Sequence, residues 1–332
     1  MWFEKLTGFK EDNPIQVRNN LQINGDKLIS KVNGAEYRYG KLDVIKLEDL
    51  RNNVLNNAYQ SEIKISEVVG DIQALHKDKS NNGAFFQAAS QFNLLEMVGP
   101  NITPEKGVGK YENDRTQGPA CAIACGAGTI FRNYFVEINS QIGQSAHIQI
   151  DCLNELGKEL GNENNRYWRM QNGYALANDI ESLSNISNQI RSKSGQEFEN
   201  LKGKLRIGIQ WNTEVTISGP DQIVSQAYCS ALPVSYSHIP SEYWMIFARL
   251  ILEATYEATL LAALMNYEKT GNSKVFLTLV GGGAFGNKIE WIVDAIRMSV
   301  LKFPNTPLDV KIVSYGVSNP HVSELIKHYF QK

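Results

Sequence analysis

The chain has 332 residues, with 33 Lys and Arg against 35 Asp and Glu, a formal net charge of −2 at pH 7 with His neutral. That balance gives no long-range attraction to phosphate, so no nucleic-acid partner is expected. A 42% hydrophobic fraction with 10% aromatics excludes a disordered chain, and four Cys do not make a disulfide scaffold.

The first residues, MWFEKLTGFKEDNP, contain no basic stretch followed by an apolar run, so no secretory signal is read and a cytoplasmic location is expected, with export as an effector left open. Residues 1–45 alternate short polar and apolar runs around Asn24-Gly25, Asn33-Gly34 and Tyr39-Gly40, which predicts hairpins in an N-terminal β extension. A helix is predicted over 47–58, a strand over 63–69, a short connection over 72–77 and a buried strand over 84–90. Residues 99–119 read as a loop rich in Gly, Pro and charge. Pro119 suits the first turn of a helix over 120–133, with a strand continuing over 134–138. Residues 140–203, rich in Asn, Ser and Gln, read as an insertion of helices and loops.

Strands follow over 205–211 and 222–232, then a long helix over 241–267. Its run 244–264 is the most apolar of the chain, but Arg249, Glu253 and Glu257 interrupt it; a buried helix fits better than a membrane span, and no membrane partner is expected. The run 275–280 is apolar throughout, as in a strand covered on both faces. A helix over 288–302, a strand over 308–315 and a helix over 320–330 complete the chain. Strands alternating with helices predict an α/β fold with a mixed central sheet.

Cys121 and Cys125 lack further ligands nearby, and the five His have no ligand spacing, so no metal site is expected and the Cys read as core. Tyr228-Cys229-Ser230 lacks a His in a dyad context, which argues against a covalent nucleophile. Gln210-Trp211-Asn212-Thr213 reads as a candidate cleft rim, and Glu290 and Asp294 as a solvated helix face.

Between the 275–280 strand and the next helix lies Gly281-Gly282-Gly283-Ala284-Phe285-Gly286-Asn287. Glycines let backbone approach a ligand, and a helix N-terminus offers free amides, so the loop suits a phosphate or diphosphate. It is neither a Walker A loop nor a dinucleotide fingerprint. Taken alone, a tight turn without a ligand explains it equally well.

Three ordered pieces resemble the macrodomain superfamily: the strand into Val69-Gly70-Asp71-Ile72, the apolar strand ending in Gln87-Ala88-Ala89-Ser90, and the strand–GGGAFGN–helix with its last strand. The clear resemblance covers 63–96 and 274–316. It implies a macrodomain-like sheet with helices on both faces. One elaborated domain over 1–332 is then expected, with an N-terminal extension over 1–60, a core over 61–139 and 204–332, and a helical insertion over 140–203.

It also implies ADP-ribose as ligand or product and no cofactor. Asp71 would accept from the adenine amino group beside the Ile72 N–H. Tyr315 or Asn319 would contact adenine, and Ser90 and Asn93 would face the distal ribose. Gly281, Gly282, Gly283, Ala284, Phe285, Gly286 and Asn287 would hold the diphosphate through their amides. Without the resemblance, Asp71 reads as a turn or helix-cap residue.

The order catalytic loop, Thr116-Gln117-Gly118-Pro119-Ala120, small-residue helix is similar to the poly(ADP-ribose)-glycohydrolase-like branch, and more closely to effector macrodomains of the MavL type. That branch implies removal of ADP-ribose from arginine, with ubiquitin as a candidate carrier, by several acidic residues. Asp114, Glu96 and Glu105, in that order, are the candidates, with Glu112 read as solvated. Asn93-Leu94-Leu95 stands where glycohydrolases have three glycines, and no Glu-Glu pair follows, so cleavage of poly(ADP-ribose) chains is left unsupported. Cleaving an N-glycosidic bond passes through an oxocarbenium-like state, which carboxylates can stabilise while managing the leaving group's proton. Arg115 is the alternative, structural ion-pair partner for Asp114. A non-catalytic reader of ADP-ribosylated proteins, or a hydrolase of free ADP-ribose derivatives, are the competing functions.

Overall fold

The computed structural model describes residues 1–54, 59 and 61–329. Seven strands form its central sheet: β1 (Lys41–Lys46), β2 (Lys64–Val69), β3 (Phe85–Ala89), β4 (Arg206–Glu214), β5 (Ile223–Cys229), β6 (Lys274–Leu277) and β7 (Asp309–Ser314). They lie in the order β1-β4-β5-β3-β6-β7-β2. From β5 to β2 every pairing is parallel, whereas β4 runs antiparallel to both of its neighbours. The sheet is mixed, as the alternation of strands and helices predicts.

Nine helices matter for the site: α1 (Leu47–Val54), α2 (Ile72–Lys77), α3 (Gln117–Ala124), α4 (Gly126–Tyr134), α5 (Ile180–Arg191), α6 (Gly195–Gly203), α7 (Ser241–Thr270), α8 (Ile289–Leu301) and α9 (Pro320–Tyr329). Consecutive residues of a strand point to opposite faces. On β3, Phe86 stacks on His76 of α2 while Gln87 bonds Thr259 of α7. On β5, Gln226 donates to the Cys121 carbonyl of α3, and the Tyr228 ring lies under Arg132 of α4. So α2, α3 and α4 cover one face and α7 the other, which explains why the middle strands are buried without alternation.

Helix α7 packs against α8, α5, α1 and α6. The charges that interrupt its apolar run are paired sideways: Arg249 with Asp294, Glu253 with Lys202, and Glu257 with Arg51, Lys202 and Lys302. Among the described residues, no helix is long and apolar enough to cross a membrane.

The region 1–60 departs from a plain β extension. The expected hairpins form a three-stranded sheet of Leu21–Asn24, Lys27–Ser30 and Glu36–Arg38. Two short helices, Trp2–Thr7 and Pro14–Asn20, precede it, too short to show periodicity. Lys41–Lys46 is the edge strand of the central sheet itself. A second core cluster (Phe3, Leu6, Val17, Leu21 and Leu28 with Leu95, Met97, Val108, Tyr111 and Ile130) packs this region against α4 and the 95–111 loop.

The helix expected over 120–133 is two helices, broken at Cys125 (φ −114, ψ 59). A Cβ on Gly126 would lie 2.6 Å from the Trp2 ring. The strand expected over 134–138 shrinks to Glu137–Ile138, paired with Gln141–Ile142. The insertion contains a hairpin, Trp168–Gln171 with Tyr174–Ala177, turning on Asn172-Gly173 with both φ positive. Of the predicted 47–58 helix, 47–54 is observed and 55–58 lie outside the described residues.

Candidate functional site

The loops after β2, β3, β5, β6 and β7 all leave the same end of the sheet, where open α/β sheets bind ligands. Three adjoining cavities open there.

The first, about 510 Å³, is walled by Gly70, Asp71 and Ile72 after β2, by Ser314, Tyr315 and Asn319 after β7, and by Arg115. Asp71 accepts the Ala74 N–H at 2.9 Å as the cap of α2, so it is a helix cap and a cavity residue at once. Tyr315 is 81% exposed, an aromatic face held open at the rim. The predicted adenine-contacting residues thus converge.

The second cavity, about 250 Å³, shares Thr116, Gln117, Thr278 and Leu279 with the first, so the two adjoin. Ser90, Gln91, Glu96, Asp114, Gly281, Gly283, Ala284 and Phe285 line it. The glycine loop is built from inside. Gly281 (φ +78) and Gly286 (φ +70) occupy left-handed conformations, and their Cβ positions are filled by Ala231 at 2.5 Å and by the Ser235 hydroxyl. Gly282, Gly286 and Asn287 donate their N–H groups to Leu279, Gly283 and Gly281 carbonyls. The N–H groups of Gly283, Ala284 and Phe285 have no protein acceptor among the described residues. Successive unpaired amides at a turn form an anion-binding concavity. Asn287 is buried and faces away, its side-chain amide donating to Leu232 O at 2.8 Å. Gly282, Gly286 and Asn287 therefore shape the loop, and the others face the cavity.

Glu96 stands at the wall between the second cavity and a third, about 330 Å³, lined by Met97, Val98, Ile102, Lys106, Lys110, Tyr111, Asn113 and Asp114. It is 3% exposed, and neither carboxyl oxygen has a hydrogen-bond partner among the described residues. Arg132 comes no nearer than 3.9 Å. The guanidinium is engaged elsewhere, on the Leu94 carbonyl, on Thr129 and over the Tyr228 ring. Burial pushes the Glu96 carboxyl up to about 8, with Arg132 opposing. At neutral pH it is therefore mostly the neutral acid.

Asp114 reaches both the second and third cavities and accepts the Thr116 N–H at 2.8 Å. No salt bridge joins it to Arg115, which instead lines the first cavity. The structural ion pair considered for it is thus not formed, and Asp114 keeps a carboxylate face toward the cleft.

Two expected residues lie elsewhere. Glu105 accepts the Ala146 N–H at 2.8 Å and lines none of the three cavities. Burial pushes its carboxyl up, but bonds from Ala146 and Thr103 outweigh this and hold it below its ordinary value. It clamps the 145–147 loop. Asn93 is fully buried, donating to Gln149 and accepting from Leu95, so it props the loop from behind. In that loop Leu94 has φ 65, a left-handed conformation that favours glycine, and Arg132 holds its carbonyl. Ser90 lines the second cavity, although its hydroxyl donates to the Gln91 carbonyl. Glu112 accepts the Trp2 N–H, a structural bond.

Gln210–Thr213 do not rim the cleft, because β4 is reversed and its carboxyl end lies at the far end of the sheet. Cys229 is buried with its thiol pushed up to about 12, far from a thiolate. Among the described residues, no three His, Cys, Asp or Glu side chains converge as metal ligands.

Other contributors had no motif to announce them. Tyr174 and Tyr236 join Phe285 in an aromatic cluster beside the second cavity, with centroids 5.1 to 5.7 Å apart. Tyr174 sits on the insertion's hairpin, which the Asn172-Gly173 turn signal could have revealed. Glu11 accepts the Val108 N–H (2.9 Å), the Gly109 N–H (2.6 Å) and the Tyr134 hydroxyl (2.7 Å), fixing the segment that carries Tyr111 and Asp114. Tyr111 in turn accepts the Glu96 N–H through its hydroxyl at 3.0 Å.

No family model matches the chain, and no curated protein does. Among solved structures, the chain is similar to poly(ADP-ribose) glycohydrolase from Thermomonospora curvata at 9% identity and a TM-score of 0.46, with 95% of this chain and 96% of that chain covered. It is also similar to poly(ADP-ribose) glycohydrolase from Deinococcus radiodurans in complex with ADP-ribose, at 9% identity and a TM-score of 0.44, with 86% and 93% covered. Likeness of this order carries no argument by itself, and the geometry of the cleft has to carry the reading.

Proposed function

We propose that the chain is an ADP-ribosyl hydrolase that releases mono-ADP-ribose from protein, with arginine-linked ADP-ribose as substrate class and ubiquitin as first candidate carrier. One observation carries this: a buried, largely protonated carboxyl with two unbonded oxygens, Glu96, lines the same cavity as a loop of unpaired amides. An acid so placed suits proton transfer to a leaving group.

In this reading adenosine occupies the first cavity, between Asp71 and Tyr315. The diphosphate lies on the Gly283, Ala284 and Phe285 amides, and the distal ribose reaches Glu96 and Asp114. Water attacks the anomeric carbon as its bond to the guanidine nitrogen breaks. Asp114 takes the water proton, and Glu96 gives its own to the departing guanidine. The products are ADP-ribose and an unmodified arginine, and both carboxyl groups return to their starting states by proton exchange with water. Two acidic groups also suit the charge of an oxocarbenium-like centre and a cationic leaving group.

The experiment is incubation with arginine-ADP-ribosylated and with serine- or glutamate-ADP-ribosylated protein, following free ADP-ribose. Release from the arginine linkage supports the reading in full. Release from another linkage alone keeps the hydrolase and removes the arginine assignment. Tight ADP-ribose binding without any release makes the protein a reader.

A further inference from the structure

The third cavity is used by none of the groups assigned so far to ADP-ribose. Its wall of Glu96, Met97, Val98 and Asp114 is shared with the second cavity, so the two acids border both spaces. Its lining is apolar at Met97, Val98, Ile102 and the Tyr111 ring, with the ammonium groups of Lys106 and Lys110 as its only charges apart from the two acids. Both lysines are exposed and neither forms a salt bridge among the described residues. Glu11 is the acid whose field Lys110 reaches, and its carboxylate is already engaged by three donors.

We propose that this cavity is the leaving-group subsite: its apolar lining takes the aliphatic stem of the modified side chain, and Lys106 and Lys110 bind acidic residues flanking that side chain in the target protein. The inference rests on the hydrolase reading. Its occupant is a peptide segment rather than a second nucleotide. At about 330 Å³ the cavity is well short of the 510 Å³ one assigned to adenosine, and it presents no exposed aromatic face and no loop of free amides. An apolar stem with anionic neighbours matches what is there: a greasy lining under two cations.

The test uses the full chain and two arginine-ADP-ribosylated peptides that differ only in flanking residues, acidic in one and basic in the other. The expected result is that kcat/KM favours the acidic peptide by about three- to tenfold at low salt, the range of two partly exposed ion pairs, and that the preference fades at high salt. In the charge-reversed double variant Lys106→Glu, Lys110→Glu the preference should vanish or invert. Affinity for free ADP-ribose, which does not reach this cavity, should stay unchanged and reports that the fold is intact. Equal cleavage of both peptides by both proteins overturns the proposal, as does a response to charge reversal seen with poly(ADP-ribose) but not with the peptides. If neither peptide is cleaved, the arginine assignment fails separately. Equilibrium binding of the same modified peptides then decides: tighter binding of the acidic peptide, lost on charge reversal, upholds the subsite, and its absence overturns it.

Discussion

Folding Glu96 into the cleft wall has a cost that depends on pH. Its carboxyl is held at about 8, above the ordinary glutamate value, because burial disfavours the charged form. A group whose folded value is raised contributes stability fully present below its unfolded value and lost as pH rises to the folded one. Between about pH 4.5 and 8 the protein therefore loses about 1.4 kcal/mol per pH unit at this site. Glu96→Gln removes the titration. Its stability relative to the wild type should rise across that window and level off above it, as measured by urea unfolding at several pH values. The same protonation governs chemistry. Turnover should fall as pH passes about 8 in the wild type, and Glu96→Gln should lose about 10²-fold or more in kcat with ADP-ribose affinity kept. Asp114→Asn is the matching probe. Its side-chain oxygen can still accept the Thr116 N–H, so a loss of turnover with unchanged Tm would assign the loss to the missing charge.

At the scale of elements, loop construction decides what each variant reports. Gly281→Ala meets both a positive φ and Ala231, so it should distort the loop and weaken ADP-ribose binding together with stability. Gly283→Ala has no neighbour within 4 Å and no positive φ, so Tm should hold or rise slightly. If that open space belongs to the diphosphate, affinity for ADP-ribose should still fall, read by calorimetric titration. Glu11→Ala strands three donors and should cost about 2–3 kcal/mol. It should also lower kcat by moving the 108–114 segment, and Glu11→Gln, which keeps an acceptor, should restore part of both.

What the sequence made legible at this scale follows from strand ends. Asp71, Ser90 and the glycine loop each follow a parallel strand, so an α/β reading places them on one edge. Position along the chain draws Glu105 and Asn93 toward the site, but the Ala146 and Leu95 N–H groups and the Gln149 side chain claim them. The break at Cys125 lies where Trp2 packs on Gly126, a contact between residues distant in sequence that no local pattern encodes.

In the whole molecule the cleft is assembled from every part of the chain. The N-terminal region supplies Glu11, the insertion supplies Tyr174, and α7 ties the opposite face through a partly buried network in which Arg51, Lys202 and Lys302 meet Glu199, Glu253 and Glu257. A net charge near zero suits such a protein, because a loop of amides can hold a diphosphate without a basic field. Ligand binding should raise Tm by mass action, by about 2.7 kcal/mol of stability at 100-fold saturation. Asp71→Ala should shrink that shift.

In the proposed function, Glu96 gives the proton for cleavage of what the glycine loop and Asp71 hold. Arginine-ADP-ribosylated ubiquitin, incubated in parallel with the wild type, Glu96→Gln and Asp71→Ala, tests it by quantifying released ADP-ribose alongside ADP-ribose affinity. The expected result is release by the wild type, release slowed about 10²-fold or more with retained affinity for Glu96→Gln, and weakened affinity for Asp71→Ala. Absence of release by the wild type, together with equal ADP-ribose affinity in the wild type and Asp71→Ala, would contradict it.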